Sequence, residues 1–486
     1  MTRRGVLGAS AWSGIDVVGR QATAFVFSIA LARILGPADF GTAALAIMCS
    51  AIIVALVQTG LVTWLVSRAE TGHDEENAAF WLCLLVSSAL AASLAALAPA
   101  LAAFFAVPIL EPLIWAAAAQ IVFAALGAVQ TGLLTRALAM RKLTVAGIVS
   151  GLVSGGLSVA MALSGRGAIS IVTGLAVNAL VNTVILWLLC HWRPGLPRAL
   201  GAIRPHWHFL RNLGASNLLE GIYGNISNAL LGKFQGAHEL GLYNRAFGTQ
   251  QLPGNIIAMA ATRVMLPVFV DSREHPERLR KDVAAAVQVL MMISLPAMAV
   301  LAATSDLVIE TLFGAKWLPA APLLSILAIG GALLPLHIVN LQFMLAQDRS
   351  DEYLRVETIK KVLGIGLLSV GSLGGIYGVA MAQAAYSVLA LPINTGLAKK
   401  TMGYGALKQL IDLAPAAAAA ALMGLSALFL KRELQLQAPA ELTVILAACA
   451  ALFLTLVAAS GPWLEGRGHI NLLSIVREAR SRAPHA

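Results

Sequence analysis

The chain has 486 residues, 58% hydrophobic and only 12% charged, with a mean hydropathy of +0.80. Soluble domains carry about a quarter charged residues, so the composition excludes a soluble multidomain protein and leaves one polytopic bundle with lipid as its solvent. The formal charge of +10 does not mark a nucleic-acid binder, because the basic residues sit in short connections between apolar runs, as membrane topology requires.

Apolar windows of about twenty residues predict an all-α membrane protein with about fourteen transmembrane helices. They run approximately over 12–35, 41–66, 80–105, 112–136, 143–164, 168–190, 210–234, 240–268, 283–304, 320–346, 354–373, 375–398, 409–430 and 441–461. The basic start Met1-Thr2-Arg3-Arg4 suits a signal peptide, but Asp16 and Arg20 fall where such a peptide needs an apolar core. The first span is therefore read as a retained helix. It closes at Ala32-Arg33-Ile34-Leu35-Gly36-Pro37-Ala38-Asp39-Phe40-Gly41, a tight Gly-Pro turn that opens the second span. The related stretch Gly232-Lys233-Phe234-Gln235-Gly236-Ala237-His238-Glu239-Leu240-Gly241 follows 200 residues later. Gly36, Asp39 and Gly41 align with Gly236, Glu239 and Gly241 at a constant offset, which points to an internal duplication.

The expected organisation is an N-lobe over 1–190, an interfacial linker over 191–209, a pseudo-symmetric C-lobe over 210–400, two further spans over 401–462 and a tail over 463–486. Each lobe would hold six helices, an even number, so the halves should form a parallel repeat about an axis along the membrane normal. The inside connection over 191–211 holds Trp192, Trp207 and four arginines; its His206 and His208 form an HxH pair with no Cys or carboxylate nearby in sequence, and no metal is expected. The tail alternates Ile470, Leu472, Leu473, Ile475 and Val476 with Arg477 and Arg480, as a surface amphipathic helix does. With the N-terminus placed inside, 25 of the 34 Lys and Arg residues fall on cytoplasmic connections and 7 on external ones. Both termini are therefore expected in the cytoplasm.

Ionisable groups within spans are costly and mark pathways or hydrated cavities. Asp16 and Arg20 lie one turn apart on the first span, and the repeat offset pairs Arg20 with Glu220 on the seventh. Around Glu220 lie Asn217, Tyr223, Asn225, Ser227 and Asn228; the eighth span opens Tyr243-Asn244-Arg245 and continues through Gln250, Gln251 and Asn255. Spans one, two, seven and eight are thus expected to face a central cavity. Arg20 and Arg245, with Asn225, Asn228, Tyr223 and Gln250, are the candidate substrate groups; Asp16 and Glu220 are candidates for ion coupling or gating. The competing role for the charges is to lock helices together. Gln58, Gln120, Gln130, Asn178, Asn182, Asn340, Gln342 and Gln383 read as interhelical hydrogen bonds, His337 as a satisfied structural histidine, and Gly147, Gly151 and Gly155 as close helix packing.

Cys49, Cys83, Cys190 and Cys449 are scattered, with no CxxC pair, and support neither a metal nor a disulfide. No GxxxxGK[ST], HExxH or GxSxG string occurs. No cofactor and no enzymatic activity are expected; energy would come from Na+ or H+ coupling, the membrane potential or substrate supply.

Three stretches carry a family resemblance. Arg33 to Gly41 is similar to the R-x-L-G-P-x-D-F-G turn of bacterial polysaccharide transporters. Leu240-Gly241-Leu242-Tyr243-Asn244-Arg245-Ala246, with Leu252-Pro253 and Arg263-Val264-Met265-Leu266-Pro267-Val268-Phe269, resembles the seven-to-eight region of Wzx-type exporters, especially colanic-acid exporters. Phe313-Gly314-Ala315-Lys316-Trp317, with Pro319 and Pro322, resembles the same family's loop before span ten. The resemblance implies a flippase of the multidrug/oligosaccharidyl-lipid/polysaccharide (MOP) superfamily that moves undecaprenyl-diphosphate-linked oligosaccharides across the inner membrane. It also implies two lobes that alternate access, membrane lipids and a polysaccharide polymerase with its export machinery as partners, and a monomeric state. In the lipid II flippase relative, arginines of the first and eighth helices line the cavity, a role that would pass to Arg20 and Arg245. The alternative within the superfamily is a cation-coupled drug or metabolite exporter, with Asp16 and Glu220 as cation sites.

Overall fold

The computed structural model describes residues 3–54, 60–68, 71–197, 201, 207–347, 349–434 and 436–466. Among them every regular element is helical. The chain runs through α1 (Arg3–Ile34), α2 (Pro37–Val54), α3 (Gly60–Ser67), α4 (His73–Phe105), α5 (Leu110–Arg136), α6 (Met140–Leu163), α7 (Ala168–Leu189), α8 (Trp207–Phe234) and α9 (Gly236–Asp271). It continues through α10 (Pro276–Ala303), α11 (Ser305–Phe313), a 3₁₀ turn (Ala315–Ala320), α12 (Ala321–Gly331), α13 (Leu334–Ala346), α14 (Ser350–Ser372) and α15 (Gly375–Asn394). It ends with α16 (Gly396–Met402), α17 (Ala406–Asp412), α18 (Ala414–Leu434) and α19 (Ala438–Gly466).

In its described residues each expected span falls mainly on helix. Ten helical stretches among the described residues are long and apolar enough to cross a membrane. The other expected spans fall on α1, α8, α9 and α14, helices interrupted by charge and amide groups such as Arg20, Glu220, Arg245 and Lys360.

Local signals explain where the helices begin. Gly36 breaks α1 from α2, and Pro37 occupies the first helical position, where its missing N–H costs nothing. Asp39 then reaches back, its Oδ2 accepting from the Gly36 N–H at 3.2 Å. Gly72 and Glu75 repeat the device at the start of α4, at 3.3 Å. Gly236, at the start of α9, takes φ +85°, a left-handed conformation that glycine adopts without Cβ strain.

The chain divides into two compact units, Met1–Gly241 and Leu242–Ala486. In the first, α5 packs on α4 and α7, α6 on α7 and α1, and α2 on α5, α7 and α8. Trp64, Leu65, Phe80, Cys83 and Val129 form a core at one end. The first part of the expected linker folds onto this unit: Asn77 Nδ2 donates to Leu196 O at 2.7 Å and Trp81 Nε1 to Gly195 O at 2.8 Å. Arg193 donates to Trp187 O at 2.7 Å and stacks over the Trp187 ring. Residues 198–200 and 202–206, with His206, and the tail from 467 onward with its predicted amphipathic stretch lie outside the described residues, as do Gln58 and the His208 side chain.

In the second unit, α10 packs along α18, α12 and α13, and α15 along α14 and α12. The last two spans are built into it: α19 lies on α18 and α11, and Lys431 Nζ meets Asp306 Oδ2 at 2.6 Å. Its core gathers Phe269, Val283, Val287, Met291, Leu336, Val339, Phe343 and Leu413. Asn340 and Gln409 exchange amide hydrogen bonds at 2.9 and 3.0 Å, tying α17 to α13. Beside them Tyr404 donates to Asp412 Oδ2 at 2.8 Å; burial, and then the Asp412 carboxylate, push its phenol well above the usual tyrosine range.

Candidate functional site

The first unit contains a cavity of about 410 Å³ between α1, α6 and α7, with largely apolar walls into which a few polar side chains are set. Its walls follow from the spacing of small residues on α6. A Cβ at Gly147 would overlap the Arg20 guanidinium, one at Gly151 would come within 3.2 Å of the Thr23 methyl, and one at Gly155 would overlap the Phe27 ring. Glycine at every fourth position thus lets α1 seat its larger side chains directly on the α6 backbone. Arg20 is held at one end of the cavity, its Nη2 donating to Leu143 O at 2.6 Å.

The next face of α6 presents Ser150, Ser154 and Ser158, also four apart, all buried. Their hydroxyl protons go to their own helix, to Gly147 O at 3.0 Å, Gly151 O at 3.3 Å and Ser154 O at 2.9 Å respectively. A hydroxyl has one proton and two lone pairs, so each serine keeps acceptor capacity. Asn178 of α7 uses some of it, with Nδ2 at 3.1 Å from Ser154 Oγ and 3.5 Å from Ser150 Oγ. One turn further along α7, Asn182 lines the same cavity with its Oδ1 buried and lacking a hydrogen-bond partner among the described residues. Phe27, Leu31 and Phe40 supply the apolar wall.

Of the candidate substrate and ion-coupling residues, Arg20 lines this cavity; Asn178 and Asn182, expected as interhelical hydrogen-bond groups, and Gly147, Gly151 and Gly155, expected at close packing, line it too. The α8 residues belong to the same unit but do not line it: Asn228 Nδ2 faces Asn225 Oδ1 at 3.4 Å, Asn225 Nδ2 donates to Gly221 O at 2.9 Å, Tyr223 is half-buried and Glu220 exposed. The Asp16 side chain lies outside the described residues. In the second unit, Gln250 is buried with its amide over Gly331, and Arg245 lies with its Cζ 4.5 Å from the Phe313 ring centre and 5.1 Å from that of Trp317. The turn residues meet across the repeat: a Cβ on Gly41 would collide with the Ala237 carbonyl and come within 2.9 Å of Gly241 N, and one on Gly241 would collide with the Pro37 carbonyl. Glu239 lies 3.5 Å from His238 Nδ1. The serine ladder did not emerge as a site from sequence, although its i, i+4 spacing beside the glycines was a legible signal.

A family model described as "Polysaccharide biosynthesis protein" matches residues 30–322, a range that contains all three resemblance motifs. The chain belongs to this family. Among its relatives, lipopolysaccharide biosynthesis protein WzxC of Escherichia coli (strain K12) is 24% identical over 382 residues, 78% of either chain. Succinoglycan biosynthesis transport protein ExoT of Rhizobium meliloti (strain 1021) is 24% identical over 364 residues, 75% of this chain and 74% of that one. Among solved structures, the lipid II flippase MurJ in its inward closed conformation superposes with a TM-score of 0.76 over 94% of this chain and 99% of its own, at 13% identity. An inward-facing multidrug resistance MATE transporter of the MOP superfamily gives 0.61 over 81% and 98%, at 15% identity. This member of the polysaccharide biosynthesis family therefore shares the fold of those two structures and is a multi-pass membrane protein.

Proposed function

We propose that the protein is a flippase that carries an undecaprenyl-diphosphate-linked oligosaccharide from the inner to the outer leaflet of the bacterial inner membrane, by alternating access, for surface-polysaccharide assembly. The observation that carries the proposal is the cavity walled by Arg20, the three serines and the α7 amides inside an otherwise apolar helical unit. A diphosphate and its sugars cannot cross hydrocarbon unaided, because stripping their hydration without replacement costs far more than thermal energy supplies. A fixed set of hydrogen-bonding groups within the bundle substitutes for that water. The names of WzxC and ExoT point to surface polysaccharides as the pathway. No carboxylate is among the described cavity-lining residues, which weighs against a cationic drug as cargo.

In this reading both termini face the cytoplasm, in accord with the 25 cytoplasmic Lys and Arg residues. Coupling to Na+ or H+ would involve Asp16 and Glu220, and the polymerase and export machinery would take over the delivered unit. Arg20 offers the positive charge that meets the diphosphate. The test is deletion of the gene in its own host, followed by extraction of lipid-linked oligosaccharide and determination of its leaflet. Accumulation on the cytoplasmic face, reversed by the intact gene and at most weakly by Arg20→Ala at equal protein level, is expected. Normal lipid-linked sugar in both leaflets would refute the flippase.

A further inference from the structure

We infer that the Ser150–Ser154–Ser158 ladder of α6, with Asn178 and Asn182 of α7, is a sugar-reading subsite that sets which repeat unit is carried. The inference rests on the flippase reading and divides the cargo between the two ends of the cavity: diphosphate toward Arg20, the sugar ring against the ladder.

The argument starts from the direction of the hydrogen bonds. All three serine protons are committed to α6 carbonyls, so the ladder shows lone pairs to the cavity. The Asn178 amide satisfies part of this capacity at Ser154 and Ser150, and Asn182 also lines the cavity, with an enclosed Oδ1 that has no hydrogen-bond partner among the described residues. A wall of acceptors selects a ligand that donates. An ionised diphosphate has only acceptors, so it gains nothing there and is repelled by the oriented lone pairs. An ammonium group would donate, but it would be buried without a carboxylate among the described lining residues and with the Arg20 guanidinium at the end of the same cavity. An uncharged polyol remains: each sugar hydroxyl carries a proton to give and needs no counter-charge.

The shape agrees. The volume of about 410 Å³ lies in the range of small-ligand sites, about 300–1,000 Å³. Phe27 and Phe40 line the same cavity. A pyranose ring has a C–H face that packs on such apolar surface and an equatorial edge of hydroxyls. A buried acceptor that only a hydroxyl satisfies is also a strong discriminator, since an analogue lacking that hydroxyl leaves it unpaired.

The experiment uses the full-length protein in lipid nanodiscs and two probes: undecaprenyl diphosphate without sugar, and the lipid-linked oligosaccharide extracted from the deletion strain. Affinities are measured for wild type, Ser154→Ala, Ser154→Ala/Asn182→Leu and Arg20→Ala. Ser154→Ala removes an acceptor without adding volume and keeps the test valid should Asn182→Leu fail to fold. The serine and asparagine variants are expected to bind the glycosylated lipid about tenfold more weakly while holding undecaprenyl diphosphate as wild type does. Arg20→Ala is expected to weaken both. Equal losses for both lipids, or no loss for either, in the serine and asparagine variants would overturn the sugar subsite and leave the flippase standing. Wild-type protein that binds neither lipid would instead overturn the flippase reading, and the subsite with it.

Discussion

The Arg245 guanidinium over Phe313 and Trp317 joins two motifs that the sequence shows as separate stretches. Both rings are almost fully buried, at 1% and 0% exposure, so the cation faces a desolvated aromatic surface. Such contacts contribute about 0.5–2 kcal/mol, and a planar guanidinium suits them better than a compact, strongly hydrated ammonium. A double-mutant cycle of Arg245→Met and Trp317→Leu, read from thermal unfolding, should give a coupling of about 1 kcal/mol. A coupling near zero would show that the contact contributes nothing. His337 illustrates the same scale. Its Nδ1 accepts from Asn394 Nδ2 at 2.7 Å and its Nε2 donates to Ser387 O at 2.9 Å, so both ring nitrogens are used between α13 and α15. That is the satisfied structural histidine expected from its mid-span position.

At the scale of the element, the α1–α6 contact predicts an ordered alanine series. Gly156 faces open space, Gly151 lies near the Thr23 methyl, and Gly155 lies under the Phe27 ring. Gly156→Ala should be neutral or stabilising by up to about 1 kcal/mol through helix propensity. Gly151→Ala should change stability little, and Gly155→Ala should destabilise by about 1–3 kcal/mol through overpacking. Melting temperatures in one detergent check the order; equal effects at all three positions would contradict the packing. The crossing of α2 with the start of α9 is stricter, because the groups opposing a Cβ at Gly41 or Gly241 are backbone carbonyls, which cannot rotate away. Gly41→Ala and Gly241→Ala should each lower folded yield in the membrane, whereas Gly248→Ala, at a glycine with nothing near its missing Cβ, should not.

For the molecule as a whole, the decisive quantity is the parity of the spans. An even number returns the chain to the side on which it began, and in the proposed topology that side is the cytoplasm, where 25 of the Lys and Arg residues would lie. A C-terminal fluorescent protein should be bright and a C-terminal alkaline phosphatase inactive. The opposite pattern would mean an odd number of crossings or an N-terminus outside the cytoplasm. The two compact units meet within α9, between Gly241 and Leu242, so the partition by packing falls inside one continuous helix. Hydropathy does not reveal such a boundary, because it reports the solvent around a helix and not its neighbours.

The membrane class, the helical spans, the duplicated turn and the α6 glycine stripe are all legible in the sequence, since each is a local property: average hydropathy, a Gly-Pro break, a four-residue period. The meeting of Ser150, Ser154 and Ser158 with Asn178 and Asn182, the seat of Arg20 on Gly147, and the Arg245–Phe313–Trp317 stack were decided only by the tertiary structure. The physical reason is that a helix in lipid is apolar on all sides, so its sequence carries little of the amphipathic pattern that would announce which face turns inward. That choice is made by close packing and by the few polar groups that must find one another away from water.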